Sequence, residues 1–181
     1  MTLLKKTVLA TSAIALLTGA SYAADPVMYP APAPQVADEG FDWDGFYAGV
    51  GFSMDALSNG GPADSYGYLD AIIGYNYTHE NILIGAEAWI GGYWDIATGT
   101  DTGYGGGVEG RVGYLVTDKW LIYSGIGYFK YDAGADYATL GLGTEYAVTE
   151  NVSLDVEYKY WQGLSNNFAG PSLGTSLLWH F

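Results

Sequence analysis

Eight ionisable residues sit at alternating positions in this sequence and mark where any chemistry would have to lie: Asp70, Glu87, Glu109, Arg111, Glu145, Asp155, Glu157 and Lys159. In an extended chain every second side chain shares a face. Once their segments are strands, these residues therefore project to one side together. An arginine fork can take two carboxylates at once. Glu87, Arg111 and Glu157 stand at similar distances from expected tight turns, so they are expected to share a layer. Such a set fits an ion network that fills an interior, with an ion path as the alternative. The excess of acid over base calls for protonated or hydrated carboxylates, or a nearby cation.

Other candidate chemistry fails on spacing. Gly105, Gly107 and Gly110 satisfy a dinucleotide-binding pattern, but that pattern needs a helix after it and the segment reads as a strand. His79 and His180 have no recognisable serine and acid partners and no metal-ligand spacing. The loop acids Asp55, Asp64, Asp95, Asp101, Asp132 and Asp136 lack calcium-loop spacing, and solvated charge is the expected role. Leu164-Ser165-Asn166-Asn167 is similar to the Ser-Asn element of lipid A deacylases in the outer membrane. The residues before it are Tyr160, Trp161, Gln162 and Gly163, so the histidine base for Ser165 is missing. No enzymatic activity, cofactor or metal is expected.

The elements that position these residues follow from period and composition. The chain has 27 Gly, 17 Tyr and 6 Trp, no Cys, and a formal charge of -14 with only 6 Lys plus Arg. Glycine at that level argues against helices, where each interior Gly costs about 1 kcal/mol relative to Ala. So acidic a chain is a poor partner for nucleic acid or for an anionic membrane surface. Residues 1–23 read as a secretory signal peptide, with Lys5 and Lys6, an apolar Val8–Leu17 run, and Ser21-Tyr22-Ala23 before the cleavage site. Residues 24–41 hold Pro26, Pro30, Pro32 and Pro34 and read as an extended, solvated linker.

From residue 42 onward the chain alternates. Eight strands are expected, near 43–53, 66–77, 82–93, 104–115, 120–131, 137–147, 152–161 and 172–181. Each is close to the roughly 9–11 residues of a tilted membrane strand. Tight turns at 78–81, 116–119 and 148–151 alternate with generally longer connections, the pattern of an up-and-down outer-membrane barrel. The seventh strand shows the two faces: Val152, Leu154, Val156, Tyr158 and Tyr160 against Ser153, Asp155, Glu157 and Lys159. The fifth is apolar on both faces and its facing stays open. A soluble barrel would need a charged exterior, which the four basic residues after the signal cannot supply. The fold class is therefore all-β: an eight-stranded antiparallel up-and-down transmembrane β-barrel with both ends on the periplasmic side. A barrel of that size is about wide enough for its side chains to fill.

Phe41-Asp42-Trp43-Asp44-Gly45-Phe46-Tyr47-Ala48-Gly49-Val50 after a Pro/Ala linker resembles the opening of small alphaproteobacterial outer-membrane barrels, the porin-like or opacity-type surface antigen family. Ile84-Gly85-Ala86-Glu87, Arg111-Val112-Gly113-Tyr114, Leu121-Ile122-Tyr123, Gly143-Thr144-Glu145-Tyr146 and Glu157-Tyr158-Lys159-Tyr160 look like its strand motifs. The resemblance implies a cell outer-membrane address and a structural or surface-presenting role, with a narrow channel or a surface adhesin as alternatives. It also implies that Leu177, Trp179 and Phe181 form the signal read by the barrel-assembly machinery. The partners to expect are outer-membrane lipid and lipopolysaccharide, with the barrel monomeric.

Overall fold

The structure, a computed structural model, describes residues 40–181. The expected signal peptide and most of the expected linker lie outside the described residues. Eight strands follow in order: β1 (Gly45–Leu57), β2 (Asp64–His79), β3 (Ile82–Asp95), β4 (Thr102–Thr117), β5 (Trp120–Tyr131), β6 (Asp136–Ala147), β7 (Val152–Gly163) and β8 (Ala169–His180). Each pairs antiparallel with the next, and β1 pairs with β8 to close the barrel. Closure removes the free edges that would otherwise recruit other strands.

The β1–β8 ladder runs from Tyr47↔His180 to Asp55↔Ser172 and resumes as the single bridge Ser58↔Ala169. The gap falls beside Pro171, which has no N–H to offer a ladder. β2 turns into β3 through Glu80 and Asn81, with Glu80 at a positive φ of 54°. At the other end the connections 58–63, 96–101, 132–135 and 164–168 are shorter than expected, because several strands run on past the expected boundaries.

Polarity is inverted relative to a soluble protein. Ile126, Leu142, Ile90 and Leu140 stand 63–70% exposed on the outer surface, while Glu145 and Ser153 are fully buried inside. Phe46, Tyr75, Tyr77, Tyr114, Trp120, Tyr146 and Trp179 ring the short-turn end of the exterior, and Trp94, Tyr104, Tyr128 and Tyr160 the long-loop end. An apolar band between two aromatic girdles is what a bilayer with two interfaces selects.

The fifth strand now has a facing. Leu121, Tyr123, Phe129 and Tyr131 are buried in the lumen, and Trp120, Ile122, Ile126 and Tyr128 face out. Polarity does not separate the two because the inner face of β5 supplies the aromatic filling. Glycine across the ladder makes room for it. Tyr47 lies opposite Gly74, Tyr123 opposite Gly143 and Trp89 opposite Gly107, and in each pair the ring occupies the space of the missing Cβ.

The boundary before β1 also differs from expectation. Phe41, placed in the solvated linker on sequence grounds, is only 8% exposed, and Trp43, expected to open the first strand, precedes β1 and is 3% exposed. Phe41, Trp43, Leu83, Leu121, Tyr123 and Ala147 form one apolar cluster at the short-turn end. Trp43 Nε1 donates to the Asp118 carbonyl at 3.0 Å. The Asp44 carboxylate accepts from the Thr78 N–H. The segment thus packs against lumenal residues at the short-turn mouth of the barrel.

Candidate functional site

The lumen is the site, and every predicted network residue faces it. Register explains how. Arg111 on β4 is flanked by Gly85 on β3 and Gly125 on β5, so its side chain meets no bulk from either neighbour and reaches across to β6. There Arg111 Nη1 pairs with Glu145 Oε2 at 3.1 Å. Arg111 Nε and Nη2 donate to Asn76 Oδ1 at 3.2 and 3.0 Å. The guanidinium carbon lies 4.7 Å from the Tyr47 ring centroid and 5.1 Å from that of Tyr123. Two π-systems thereby lie against the planar cation. The two tyrosines also tether carboxylates: Tyr47 donates to Glu87 Oε2 at 2.9 Å and Tyr123 to Asp155 Oδ2 at 2.8 Å.

Lys159 organises a second centre. Its Nζ lies 3.0 Å from Glu157 Oε2, 3.2 Å from Glu109 Oε2 and 4.3 Å from the Trp89 ring centroid. Asp70 joins neither centre directly. It lines a cavity of about 50 Å3 together with Glu87, Asp155, Glu157 and Lys159. Asp70 Oδ1 and Glu157 Oε1 have no hydrogen-bond partner among the described residues. A polar cavity of that size accommodates water, which would complete them.

Three sequence expectations are corrected. Arg111 does not gather Glu87 and Glu157. It takes one carboxylate and one amide, Glu157 belongs to Lys159, and Glu87 reaches the guanidinium only through Tyr47. Shear offsets residues at equal distances from their turns, so equal spacing does not give a common layer. Asp55, assigned to a loop, is 2% exposed inside the barrel because β1 continues to Leu57.

The third concerns His180, which does have serine and acid neighbours. Ser153 Oγ lies 2.9 Å and Glu145 Oε1 3.1 Å from His180 Nε2. Ser153 also donates to Glu145 Oε1 at 2.5 Å. A catalytic triad uses one ring nitrogen for the serine and the other for the acid. Here both meet the same nitrogen, and the Phe41 ring lies 4.8 Å from the imidazole. The geometry is that of a buried polar cluster and differs from a triad's. No sequence signal marks it, because its members come from β6, β7 and β8.

Ser165 lies in the 164–168 connection, where its Oγ accepts from the Asp136 N–H at 3.3 Å, while His79 and His180 lie at the opposite end of the barrel. Among the described residues no group of three acids and histidines is set for a metal ion. Above the charged centres an aromatic layer fills the lumen. Phe129 packs edge to face on Trp161 at 4.8 Å and on Tyr131 at 4.7 Å, and stacks with Trp89 at 6.3 Å. Leu177, Trp179 and Phe181 are 51%, 49% and 78% exposed on the outer face, by the short-turn rim.

No family model matches the sequence. Among solved structures, Neisserial surface protein A superposes with a TM-score of 0.52 at 16% identity, covering 75% of this chain and 97% of that one. The attachment invasion locus protein of Yersinia pestis, Ail, gives 0.52 at 12%, covering 75% and 99%. Both show the fold alone. The 25 kDa outer-membrane immunogenic protein of Brucella canis is 27% identical over an alignment of 200 positions, covering 98% of this chain and 94% of its own. The 22 kDa outer membrane protein of Rhizobium leguminosarum bv. viciae is 32% identical over 142 residues, covering 70% of this chain and 67% of its own. With its closed eight-stranded barrel and apolar exterior, the chain belongs to the family of small alphaproteobacterial outer-membrane β-barrel proteins that includes the Rhizobium protein.

Proposed function

We propose that this barrel is a non-enzymatic structural component of the outer membrane that presents the connections 58–63, 96–101, 132–135 and 164–168 at the cell surface. The observation that carries the reading is the filled lumen. The Phe41/Trp43 cover, the Arg111 and Lys159 centres and the Phe129 layer follow one another along the axis, so the interior is spent on holding the barrel together. The filling argues against a diffusion channel, and the lack of a histidine near Ser165 argues against a lipid A hydrolase. The immunogenic naming of the Brucella relatives is in keeping with exposed connections. The barrel is monomeric in this proposal, with lipid and lipopolysaccharide around it. It is delivered by the barrel-assembly machinery through the outward-facing Leu177, Trp179 and Phe181.

The chain has no Cys, which permits a direct test. Gly61→Cys in the 58–63 connection should react with a membrane-impermeant maleimide on intact cells, and Lys119→Cys in the short turn should react only after permeabilisation. Labelling of Lys119→Cys alone would reverse the orientation and remove the surface-presenting role. Deleting the gene should raise uptake of an apolar dye across the outer membrane, and an unchanged uptake counts against the structural role. For the non-enzymatic assignment, purified barrel is incubated with lipid A. Acyl chains released and seen by mass spectrometry would overturn it.

A further inference from the structure

We propose that the aromatic cup at the long-loop mouth is a binding site for a quaternary ammonium group. The cup encloses about 140 Å3 and is lined by Tyr66, Tyr93, Tyr131, Tyr137 and Phe168, with Asp101 at its rim. That volume is close to the ~150 Å3 of an engineered cavity that takes up benzene. It suits a compact group such as trimethylammonium. Successive rings stand nearly at right angles. Tyr66 and Tyr93 meet at 83° and 5.8 Å, Tyr93 and Tyr131 at 76° and 4.8 Å, and Tyr131 and Tyr137 at 87° and 5.7 Å. Rings set at right angles around one cavity can turn more than one face toward a cation that has no N–H to donate.

Charge selects the ligand class. Asp64, Asp95 and Asp132 stand at the same end as Asp101, while Asp136 sits across the ladder from Lys130. Among the described residues no basic side chain lines the cup: Lys130 stands at the same end but on the outer face of β5, opposite Asp136, Lys119 lies in a short turn, and Arg111 and Lys159 are already paired below. A phosphate or carboxylate entering the cup would meet Asp101 and no basic side chain in its lining. A quaternary ammonium finds ring faces below and carboxylates around the rim, and loses little hydration on entry. The group can arrive free, as in choline, or on a lipid headgroup as phosphocholine, and the cup recognises the part common to both.

The full chain is refolded in a polyoxyethylene detergent, whose headgroup is neither charged nor a sugar. Tetramethylammonium and choline are titrated by calorimetry and by saturation-transfer NMR of the N-methyl protons. Saturable binding is expected, with 3,3-dimethylbutan-1-ol, the uncharged isostere of choline, about tenfold weaker or more. Tyr93→Leu and Tyr131→Leu should each weaken tetramethylammonium by about tenfold. Their folding is checked by heat-dependent gel mobility. Asp101→Asn, at an exposed loop position that the barrel does not need for packing, should weaken binding by a few-fold and make it less sensitive to salt. Phosphocholine vesicles serve as the third arm. Binding to choline over vesicles assigns a free cation, and tighter binding to vesicles assigns a headgroup; both sustain the site. No saturable binding of either cation, equal binding of the uncharged isostere, or preferred binding of a methyl glycoside would overturn it.

Discussion

Arg111 is 3% exposed and its partner Glu145 is fully buried, so neither charge can be stabilised by solvent if the other is lost. Breaking such a pair from one side costs more than the pair contributes, because a desolvated charge is left behind. Arg111→Ala is therefore expected to lower barrel stability by about 3 kcal/mol, read as an earlier urea midpoint in detergent and a lower temperature of gel-mobility change. Adding Glu145→Gln to it should recover part of the loss, since the amide can still accept from Ser153. An Arg111→Ala barrel that melts like the parent would show that the network is not structural. The identity of these residues as lumenal could be read from alternation alone, but their pairing could not. Which acid meets Arg111 depends on shear and on Gly85 and Gly125 beside it, and neither leaves a local mark in the sequence.

At the scale of the strand pair, the aromatic-over-glycine arrangement explains why so much glycine is compatible with a stable sheet. A ring lying across Gly74 covers backbone that would otherwise be bare and places the Tyr47 hydroxyl on Glu87. A Cβ at position 74 would run into the Tyr47 phenol ring. Gly74→Ala should cost about 1–3 kcal/mol by overpacking. Tyr47→Leu in the Gly74→Ala background should relieve the clash, giving a double variant more stable than the sum of the two singles predicts when both are followed by urea unfolding. Additive losses would mean that the ring moves aside freely and that Gly74 serves curvature alone. The same packing explains the one strand whose facing sequence left open. β5 carries Tyr123, Phe129 and Tyr131 inward and Ile122, Ile126 and Tyr128 outward. A lumen filled by aromatics defeats a polarity test that works well on β7, where Asp155, Glu157 and Lys159 mark the inside.

For the molecule as a whole, the proposed function requires a barrel closed at several depths. Eight strands leave an interior that side chains can fill, and here the filling changes character along the axis. Phe41 and Trp43 close the short-turn mouth, ion pairs occupy the middle, and Phe129 with Trp89 and Trp161 closes the section beneath the tyrosine cup. Loss of one closure leaves the others in place. Trp43→Ala removes a large buried side chain and its bond to Asp118, and should destabilise the barrel by about 3 kcal/mol. It should nonetheless stay non-conducting, because the charged and aromatic layers remain across the path. The measurement is single-channel recording of refolded parent and variant in planar bilayers, beside their urea midpoints. No steady open level is expected from either, while the midpoint of Trp43→Ala falls. A steady open level in the parent would establish a narrow channel in place of the filled lumen. A Trp43→Ala barrel that conducts while the parent does not would make the Phe41/Trp43 segment the sole seal and the inner layers permeable.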